Sequence, residues 1–459
     1  MTTMKIKVIL AVLACKLSRF LIRLLGRGGT DLPGRVALKL CPGLLGELAK
    51  GVTTILVTGT NGKTTTSRMI EQALTDSGIS FFANRSGANL LSGVTAEFAA
   101  HSTLTGRCRY DYALIEADEA AFKHIARYVK ARAVVVTNVF RDQLDRYGEV
   151  THTLENILLG LELCPDATVC LNADDSLCTS LQEKIPNKVI FYGVNVPIYQ
   201  NRVEELSDAP YCVRCKHEYR YSYVTYGHLG AYECPACGFR RPAPEIFVEK
   251  ILSLDDESAT VVFSDGKRSD TCVIGLPGGY NIYNACATMA AARALGLDPA
   301  VTVQSLGHFT CGFGRMERFS IGKTELRMIL IKNPAGCNQV LNFLSQRTEE
   351  YVYAICLNDR TQDGRDVSWI WDVDFECLCG ADKPLRDVWF SGTRAEDMAL
   401  RFKYAGFPEE RLHVEKDYER LVRMLTDQEK PVYVMPTYTA MLDLRGTISR
   451  KFGFKAFWE

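Results

Sequence analysis

The segment that most constrains this chain is Gly59-Thr60-Asn61-Gly62-Lys63-Thr64-Thr65, which follows directly on the β-rich run from Thr54 to Thr58 and leads into a helical stretch through Arg68, Met69 and Leu74. A loop that cradles a triphosphate must turn several backbone N–H groups inward at once, and glycine lets the chain come that close. Gly59 and Gly62 meet that need. The same geometry sends the Lys63 ammonium to the β- and γ-phosphates, offers the Thr64 hydroxyl to Mg2+ and aims the positive end of the next helix at the anion. A full Walker pattern carries glycine where Val57 stands, so the match is to the shorter G-x-x-G-K-T form. Strand, loop and helix in this order predict a nucleotide-binding site at residues 59 to 65. The plain alternative is a tight strand-to-helix turn that happens to hold a lysine.

The surrounding pattern is α/β. Runs at Thr54–Thr58, Tyr112–Ile115, Ala133–Thr137, Thr168–Leu171 and Lys188–Tyr192 are apolar on both faces, as strands of a helix-covered parallel sheet should be, and helical stretches separate them. A Cys- and Tyr-rich segment from Ser207 to Pro244 interrupts this rhythm and reads as an insertion. The host then resumes through Val261–Phe263 and a helix from Asn284 to Leu295. After Gly312-Phe-Gly-Arg-Met316 a second alternating block begins, with strands at Tyr351–Cys356, Val388–Phe390 and Val432–Met435. The expected division is a helical extension at 1–50, an ATP-binding domain at 51–311 with its insertion at 207–244, and a second α/β domain at 312–459.

Composition narrows the class. The 54 basic and 54 acidic residues cancel, so the chain lacks the global charge of a protein that lives on nucleic acid. Its 17 cysteines are mostly single residues within apolar runs, as at Cys15, Cys170, Cys286 and Cys356, where reduced buried thiols are at home. That favours the cytoplasm. The apolar stretch Val8–Cys15 is far shorter than the ~20 residues of a spanning helix. Val12-Leu13-Ala14-Cys15 behind Lys5 and Lys7 resembles a lipoprotein signal, yet the pattern continues through Lys16, Arg19, Phe20, Leu21, Arg23 and Leu24. Residues 5–27 therefore read better as one basic amphipathic helix, which either packs on the body of the protein or lies against a membrane surface.

Within the insertion, Cys212-Val-Arg-Cys215 and Cys234-Pro-Ala-Cys237 are two C-x-x-C knuckles with the spacing of a zinc ribbon, in which four thiolates close a tetrahedron around Zn2+. Such a closed site is structural and substitutes for the core that a short insertion cannot build. Paired disulfides or four unrelated thiols are the competing readings. Tyr219, Tyr221, Tyr223 and Tyr226, interleaved with Arg214, Lys216 and Arg220, suit either single-strand nucleic-acid stacking or one face of a ribbon hairpin. In the second block, Leu357-Asn-Asp-Arg-Thr-Gln-Asp363-Gly-Arg-Asp366 follows a strand. Its carboxylates read as metal ligands, as orienters of a catalytic histidine, or as solvated loop acids.

The phosphate loop resembles that of the Mur ligases and folylpolyglutamate synthetases, which join a carboxylate to an amine through an acyl phosphate. Further similarities follow in chain order over residues 50–459. Ile115-Glu116 resembles the strand-end glutamate that holds Mg2+. Thr137-Asn138 with Asp142-Gln143-Leu144-Asp145 resembles an Asn…Asp-His-x-Asp segment, and Leu171-Asn-Ala-Asp174-Asp175 an Asn-Ala-Asp-Asp turn. Tyr280-Asn281 with Asn284 resembles the purine-binding asparagine segment, and Gly314-Arg315-Met-Glu317-Arg318 the phosphate-facing arginine before the last domain. The resemblance implies a central P-loop ATPase domain of Mur-ligase type and a Rossmann-like C-terminal α/β domain. It also implies a cleft between them that Arg315 would gate. Two departures stand out: Gln143 replaces a metal-binding histidine, and about fifty residues precede the loop, too few for the usual UDP-sugar domain.

Ribbon, missing UDP domain and carboxylate loop together resemble the amidating branch of the Mur ligases, the ligase subunits of lipid II isoglutaminyl synthases. That resemblance implies ATP, Mg2+ and structural Zn2+ as cofactors and a GatD-type glutaminase as partner. The action would be at the inner face of the cell membrane. It assigns Asp366 to orient the partner's histidine, Lys63 and Arg315 to neutralise the phosphoryl group in transit, and Lys332 and Asn333 to nucleotide or substrate. A folylpolyglutamate-synthetase-like amino-acid ligase is the nearest alternative. A zinc-ribbon binding protein whose nucleotide site switches its shape is the alternative of another class.

Overall fold

The computed structural model describes residues 2–24, 31–84, 88–141, 150–199, 207–310, 315–380 and 383–454. Ile55, Leu56 and Val57 are consecutive and point to alternate sides of their strand, yet all three are fully buried. A strand of that kind needs helices on both faces. Leu56 joins one apolar core while Ile55 and Val57 join the other, so the two cores sandwich the sheet. Its parallel strands are β1 (Thr53–Thr58), β2 (Phe81–Ala83), β3 (Tyr112–Glu116), β4 (Lys130–Val136), β5 (Thr168–Asn172) and β6 (Val189–Val194). One face is covered by α1 (Thr2–Leu24), α2 (Asp31–Leu40), α3 (Leu44–Leu48), α5 (Leu91–Ala100), α6 (Glu119–Ala126), α7 (Val150–Glu162) and α8 (Ser176–Ser180). The other is covered by α4 (Lys63–Asp76), α9 (Gly279–Leu295) and α10 (Pro299–His308).

Beyond β6 lies a meander of β9 (Ile246–Leu254), β10 (Ala259–Ser264) and β11 (Ser269–Ile274), which completes the order β11-β10-β9-β6-β5-β4-β1-β3-β2. The chain therefore rejoins the sheet at Ile246, ahead of the Val261–Phe263 run that the sequence pattern marks. The reason is that β9 alternates buried and solvated positions and carries no continuous apolar run. Between β6 and β9 the chain leaves the sheet to build a separate antiparallel hairpin, β7 (Arg220–Tyr226) and β8 (Leu229–Glu233).

The second sheet has the order β12-β13-β17-β14-β15-β16, formed by β12 (Arg315–Ile321), β13 (Thr324–Ile329), β14 (Tyr351–Cys356), β15 (Leu385–Ser391), β16 (Leu412–Val414) and β17 (Val432–Pro436). All pairings but β12–β13 are parallel. Along β14, Tyr351, Tyr353 and Ile355 pack with α11 (Pro334–Ser345) and α12 (Ala395–Tyr404), while Val352, Ala354 and Cys356 pack with α13 (Tyr418–Thr426) and α14 (Tyr438–Phe452).

The Asn-Ala-Asp-Asp turn after β5 anchors the hairpin. Asp174 is fully buried; its Oδ1 accepts from Arg241 Nε at 2.6 Å, and its Oδ2 from Val194 N at 2.9 Å and Tyr283 OH at 2.5 Å. Asp175 caps α8 through Leu177 N and Cys178 N, and also takes Val139 N at 2.8 Å and faces His228 Nε2 at 3.2 Å. Burial alone would raise the Asp175 carboxyl, but the His228 ring and these donors hold it below its ordinary range. The ribbon tyrosines are spent on the same docking. Tyr223 OH donates to Val194 O at 2.7 Å, and Tyr226 stacks on Phe140. They form packing surfaces and hydrogen bonds rather than a stacking platform for nucleic acid. At the N-terminus, Val8, Ala11, Val12 and Cys15 of α1 enter the core, while Lys16 reaches Ser102 O and Arg19 pairs with Glu97 at 3.1 Å. Among the described residues, no helix is long and apolar enough to cross a membrane.

Replacing Asp174 with Ala strands a largely buried Arg241. Loss of one partner of a buried pair costs about 3–5 kcal/mol, so urea unfolding of Asp174→Ala is expected to show a fall of that order. A loss under about 1 kcal/mol, the size for an exposed pair, would remove the Asp174–Arg241 pair as the anchor.

Candidate active site

β1 delivers the chain to Gly59 (φ +116°) and Gly62 (φ +85°), both in backbone conformations that favour glycine. Space forbids a side chain as well: a Cβ on Gly59 would lie 2.8 Å from Asn138 O, and one on Gly62 would run into the Asn284 amide. The residues after β4 hold the loop from beneath. Thr60 N donates to Asn138 O at 2.8 Å, Asn61 N to Asn138 Oδ1 at 2.9 Å, and Asn138 Nδ2 returns to Asn61 O at 3.0 Å. Phe140 N donates to Thr60 Oγ1 at 3.0 Å.

Lys63 is the first residue of α4 and is 8 % exposed. Its ammonium donates to Gly59 O, to Thr60 O at 3.1 Å and to Glu119 Oε1 at 3.1 Å. An anion entering the loop would take over contacts from these partners. Next to it, Thr64 Oγ1 donates to Glu116 Oε1 at 3.2 Å. Two oxygen ligands side by side at the end of a parallel strand suit a hard divalent cation, so both residues fit Mg2+. Asn84, just after β2, brackets Glu116 from behind: Glu116 N donates to Asn84 Oδ1 and Asn84 Nδ2 to Glu116 O, each at 2.8 Å.

Asn281 lies inside the first turn of α9, whose N-cap is Gly278. Its amide donates to Pro277 O at 2.6 Å and accepts from Asn284 Nδ2 at 3.0 Å, while Asn284 accepts from Thr66 Oγ1 at 3.2 Å. This chain docks α9 onto the helix that carries Lys63. Asn333, the N-cap of α11, accepts from Gly336 N at 2.8 Å and donates to Asn61 Oδ1 at 3.0 Å. Of the two faces open to it from the sequence, Asn333 takes the one toward the phosphate loop; Lys332 precedes it, half-buried. Arg315 opens β12 and pairs with Ile329, while its side chain lies outside what the structure describes. Asp142, Gln143 and Asp145 also lie outside the described residues.

At the carboxyl edge of the second sheet, Asn358 N donates to Thr437 Oγ1 at 3.0 Å, and Asp363 is buried and accepts from Thr439 N at 2.7 Å. These bonds hold the carboxylate loop at the end of β14. Asp366 is half-buried and accepts from Ser368 N at 2.8 Å. The Ser368 hydroxyl and N–H hold its carboxyl below the usual range, so it stays an anion at neutral pH.

In the ribbon, Cys212, Cys215, Cys234 and Cys237 place their sulfur atoms within 4.8 Å of one another, with Cys212–Cys237 at 3.6 Å and Cys215–Cys234 at 3.3 Å. A Zn–S bond of about 2.3 Å implies tetrahedral edges near 3.8 Å, so the set fits such an ion. Burial raises the Cys234 thiol, yet N–H groups of Cys237 and Ala236 pull it down to about 6, while neighbouring sulfur atoms push the Cys215 and Cys237 thiols up. Among the described residues every cysteine is free of disulfides.

Sequence reading missed Glu119, Asn84 and the Asn61–Asn333 contact. Asp118-Glu119 at a helix start reads as ordinary capping, and Asp118 does accept from Ala120 N. Asn84 follows a strand of three residues, too short to register as a pattern.

Comparison with known proteins agrees with this architecture. Residues 57–292 match the Mur ligase middle domain, and residues 330–441 match the MurT ligase C-terminal family. The chain is 35% identical over 451 residues to the lipid II isoglutaminyl synthase (glutamine-hydrolyzing) subunit MurT of Streptococcus pneumoniae, covering 98% of each. It is 33% identical to the subunit of the same name from Staphylococcus aureus, covering 96% of this chain and 98% of that one. Among solved structures, MurF from Acinetobacter baumannii superposes with a TM-score of 0.65 at 17% identity, over 89% of this chain and 80% of that one. MurF from Thermotoga maritima in complex with ADP superposes at 0.62 and 13% identity, over 90% and 85%. These structural likenesses concern the fold.

Residues that position a metal ligand typically cost 10–100-fold in metal affinity when removed. For Asn84→Ala the Mg2+ concentration that supports half-maximal nucleotide binding, measured by calorimetry, is expected to rise by about that factor. An unchanged Mg2+ requirement would remove Glu116 from the metal site.

Proposed function

Because the chain belongs to the MurT family of Mur-type ligases, we propose that it is the ATP-using subunit of a lipid II isoglutaminyl synthase. It converts the α-carboxylate of the D-Glu in the lipid II stem peptide into an amide, giving D-isoglutamine. The observation that carries this reading is the pairing of an intact phosphate loop, with Lys63 on Glu119 and Thr64 on Glu116, and similarity to such subunits over nearly the whole chain.

The reaction has two halves. ATP lies along Gly59–Thr65, with Gly62 and the N-terminal turn of α4 presenting backbone N–H groups to the phosphates while Asn138 holds Thr60 and Asn61 in place, and with Asn281 bordering the purine. A carboxylate oxygen of the substrate takes the γ-phosphoryl group, ADP leaves, and Lys63 and Arg315 neutralise the charge in transit. Ammonia then attacks the acyl carbon, phosphate departs with the former carboxylate oxygen, and the nitrogen loses a proton. Mg2+, held by Thr64 and Glu116, would supply charge neutralisation of the phosphate oxygens.

Ammonia comes from a GatD-type glutaminase subunit that docks at the carboxyl edge of the second sheet. Asp366 orients the imidazole of that partner, a task that suits an anion already fixed by Ser368. Zn2+ bound by Cys212, Cys215, Cys234 and Cys237 holds the ribbon together and takes no part in the chemistry. The enzyme works in the cytoplasm, on a lipid-linked substrate at the inner face of the membrane. The buried thiols of Cys170 and Cys356, both pushed up to about 12, suit that reducing compartment.

Mass spectrometry of lipid II incubated with ATP and ammonium, or with ATP, glutamine and a GatD-type partner, tests both halves. Lys63→Ala is expected to lower both activities by at least ~100-fold. Asp366→Asn should spare the ammonium reaction and cut the glutamine reaction by up to ~10,000-fold. Glutamate addition to a folate without amidation of lipid II would overturn the reading in favour of the folylpolyglutamate-synthetase type, and ATP binding without any product would favour a nucleotide switch. A separate measurement concerns the ribbon. Elemental analysis should find about one zinc per chain, as four thiolates close one tetrahedral site, and its removal by a chelator should lower the melting temperature.

A further inference from the structure

Helix α1 has two apolar faces, and the body of the protein uses one. Val8, Ala11, Val12 and Cys15 are buried against the core, whereas Ile6, Leu10, Leu13, Leu17, Phe20 and Leu24 on the opposite side are each 49–68 % exposed. Their spacing of i, i+4, i+7, i+11, i+14 and i+18 keeps them on one stripe of an α-helix, and the stripe is about 27 Å long at 1.5 Å per residue. No charged residue interrupts it. The helix contains no Asp or Glu at all, and Lys5 and Lys7, both exposed, stand at its borders. Lys16 and Arg19 clamp the buried side to Ser102 and Glu97, so the exposed stripe is held in a fixed orientation.

An exposed stripe of this size on a soluble domain marks an interaction surface. Its charge selects the partner. Two copies meeting through this stripe would bring two wholly cationic helices together, which electrostatics opposes. A surface of anionic headgroups over hydrocarbon satisfies both features: the borders meet negative charge and the leucines enter the acyl boundary. The helix is not apolar enough to span. We propose that α1 lies in the plane of an anionic bilayer and docks the protein there, with the opposite face holding the ATP domain. The lipid-linked substrate of the proposed reaction supplies a use for this contact, but the surface itself is read independently of that reaction.

Flotation of the full chain with vesicles of phosphatidylglycerol and phosphatidylcholine tests this, with pure phosphatidylcholine as the reference. Wild type should float with the anionic vesicles at least 10-fold better than with the neutral ones, and less so at high salt. Leu13→Glu/Leu17→Glu should abolish flotation, and Lys5→Glu/Lys7→Glu should weaken it, while both keep the wild-type melting temperature. Because binding is read without ATP or substrate, a failure of the amidation chemistry leaves this result standing. Three outcomes overturn the proposal: a folded wild type that does not bind anionic vesicles, flotation unchanged in Leu13→Glu/Leu17→Glu, or a dimer in light scattering that this variant dissolves while vesicles bind neither form.

Discussion

The close approach of Gly59 and Gly62 to their neighbours is the constraint on which the site depends. Gly59 lies against the chain leaving β4, and Gly62 lies against Asn284 of α9. A side chain at either place would push the loop off both supports. With glycine there, Asn138 can bind both backbone groups of Asn61, and the N-terminus of α4 is fixed relative to the end of β4. Lys63 and Thr64 then fall beside Glu119, at the start of α6, and Glu116, at the end of β3. The buried Lys63–Glu119 pair follows from this geometry. A lone buried ammonium would be costly, so the protein meets the charge of Lys63 with a carboxylate that phosphate can later displace.

The same loop is tied to the four-cysteine insertion through a short run of contacts. Phe140 donates its N–H to Thr60, its ring lies 4.5 Å from that of His228, and Tyr226 stacks on it. His228 faces Asp175, which also accepts from Val139 N. The tip of the β7–β8 hairpin therefore packs directly under the residues that hold the phosphate loop. A ribbon with a small core of its own, built around Cys212, Tyr219, Tyr232, Cys234 and Phe239, could not hold such a tip still unaided. A metal ion held by the four sulfur atoms gathered at its far end would provide the stiffness that its size denies it.

What was legible in the sequence follows from these physical facts. The doubly buried strands β1, β3, β4, β5 and β14 announce themselves as continuous apolar runs, because a sheet covered on both faces allows nothing else. The phosphate loop and the two C-x-x-C knuckles were legible because their chemistry needs particular residues at fixed spacing. By contrast β9 and β11 are half-solvated, β2 and β16 have three residues each, and none of them carries a run long enough to stand out. Glu119, Asn84 and Asn333 act across 56, 32 and 272 residues of chain, respectively. Their roles arise from tertiary placement: Glu119 reads locally as capping, Asn84 follows a strand too short to register, and the segment of Asn333 points to nucleotide or substrate without showing its partner on the loop. The helix at the N-terminus was legible as amphipathic, but its second apolar face emerged when the structure separated the buried residues from the exposed ones.

The two α/β sheets meet in two chemically different ways, and the difference bears on how a reactive intermediate is handled. Far from the phosphate loop, the turn between β9 and β10 is held by charged groups of the second sheet: Arg327 reaches Asp256 O at 2.7 Å, Arg347 pairs with Asp256, and Arg318 with Glu257 at 2.9 Å. Close to the loop, Arg141, next to the Phe140 that holds Thr60, pairs with Asp372 at 2.7 Å, and at the loop itself two amides meet, Asn61 and Asn333. A neutral hydrogen bond of that kind contributes about 1 kcal/mol net, and water can replace it, so it registers closure without locking it. An acyl phosphate has to be kept from water while the amine arrives, and the product has to leave afterwards. Charged attachments at the β9–β10 turn and at Arg141–Asp372 keep the two sheets together, while the contact made directly on the phosphate loop is the neutral one and the easiest to exchange for water.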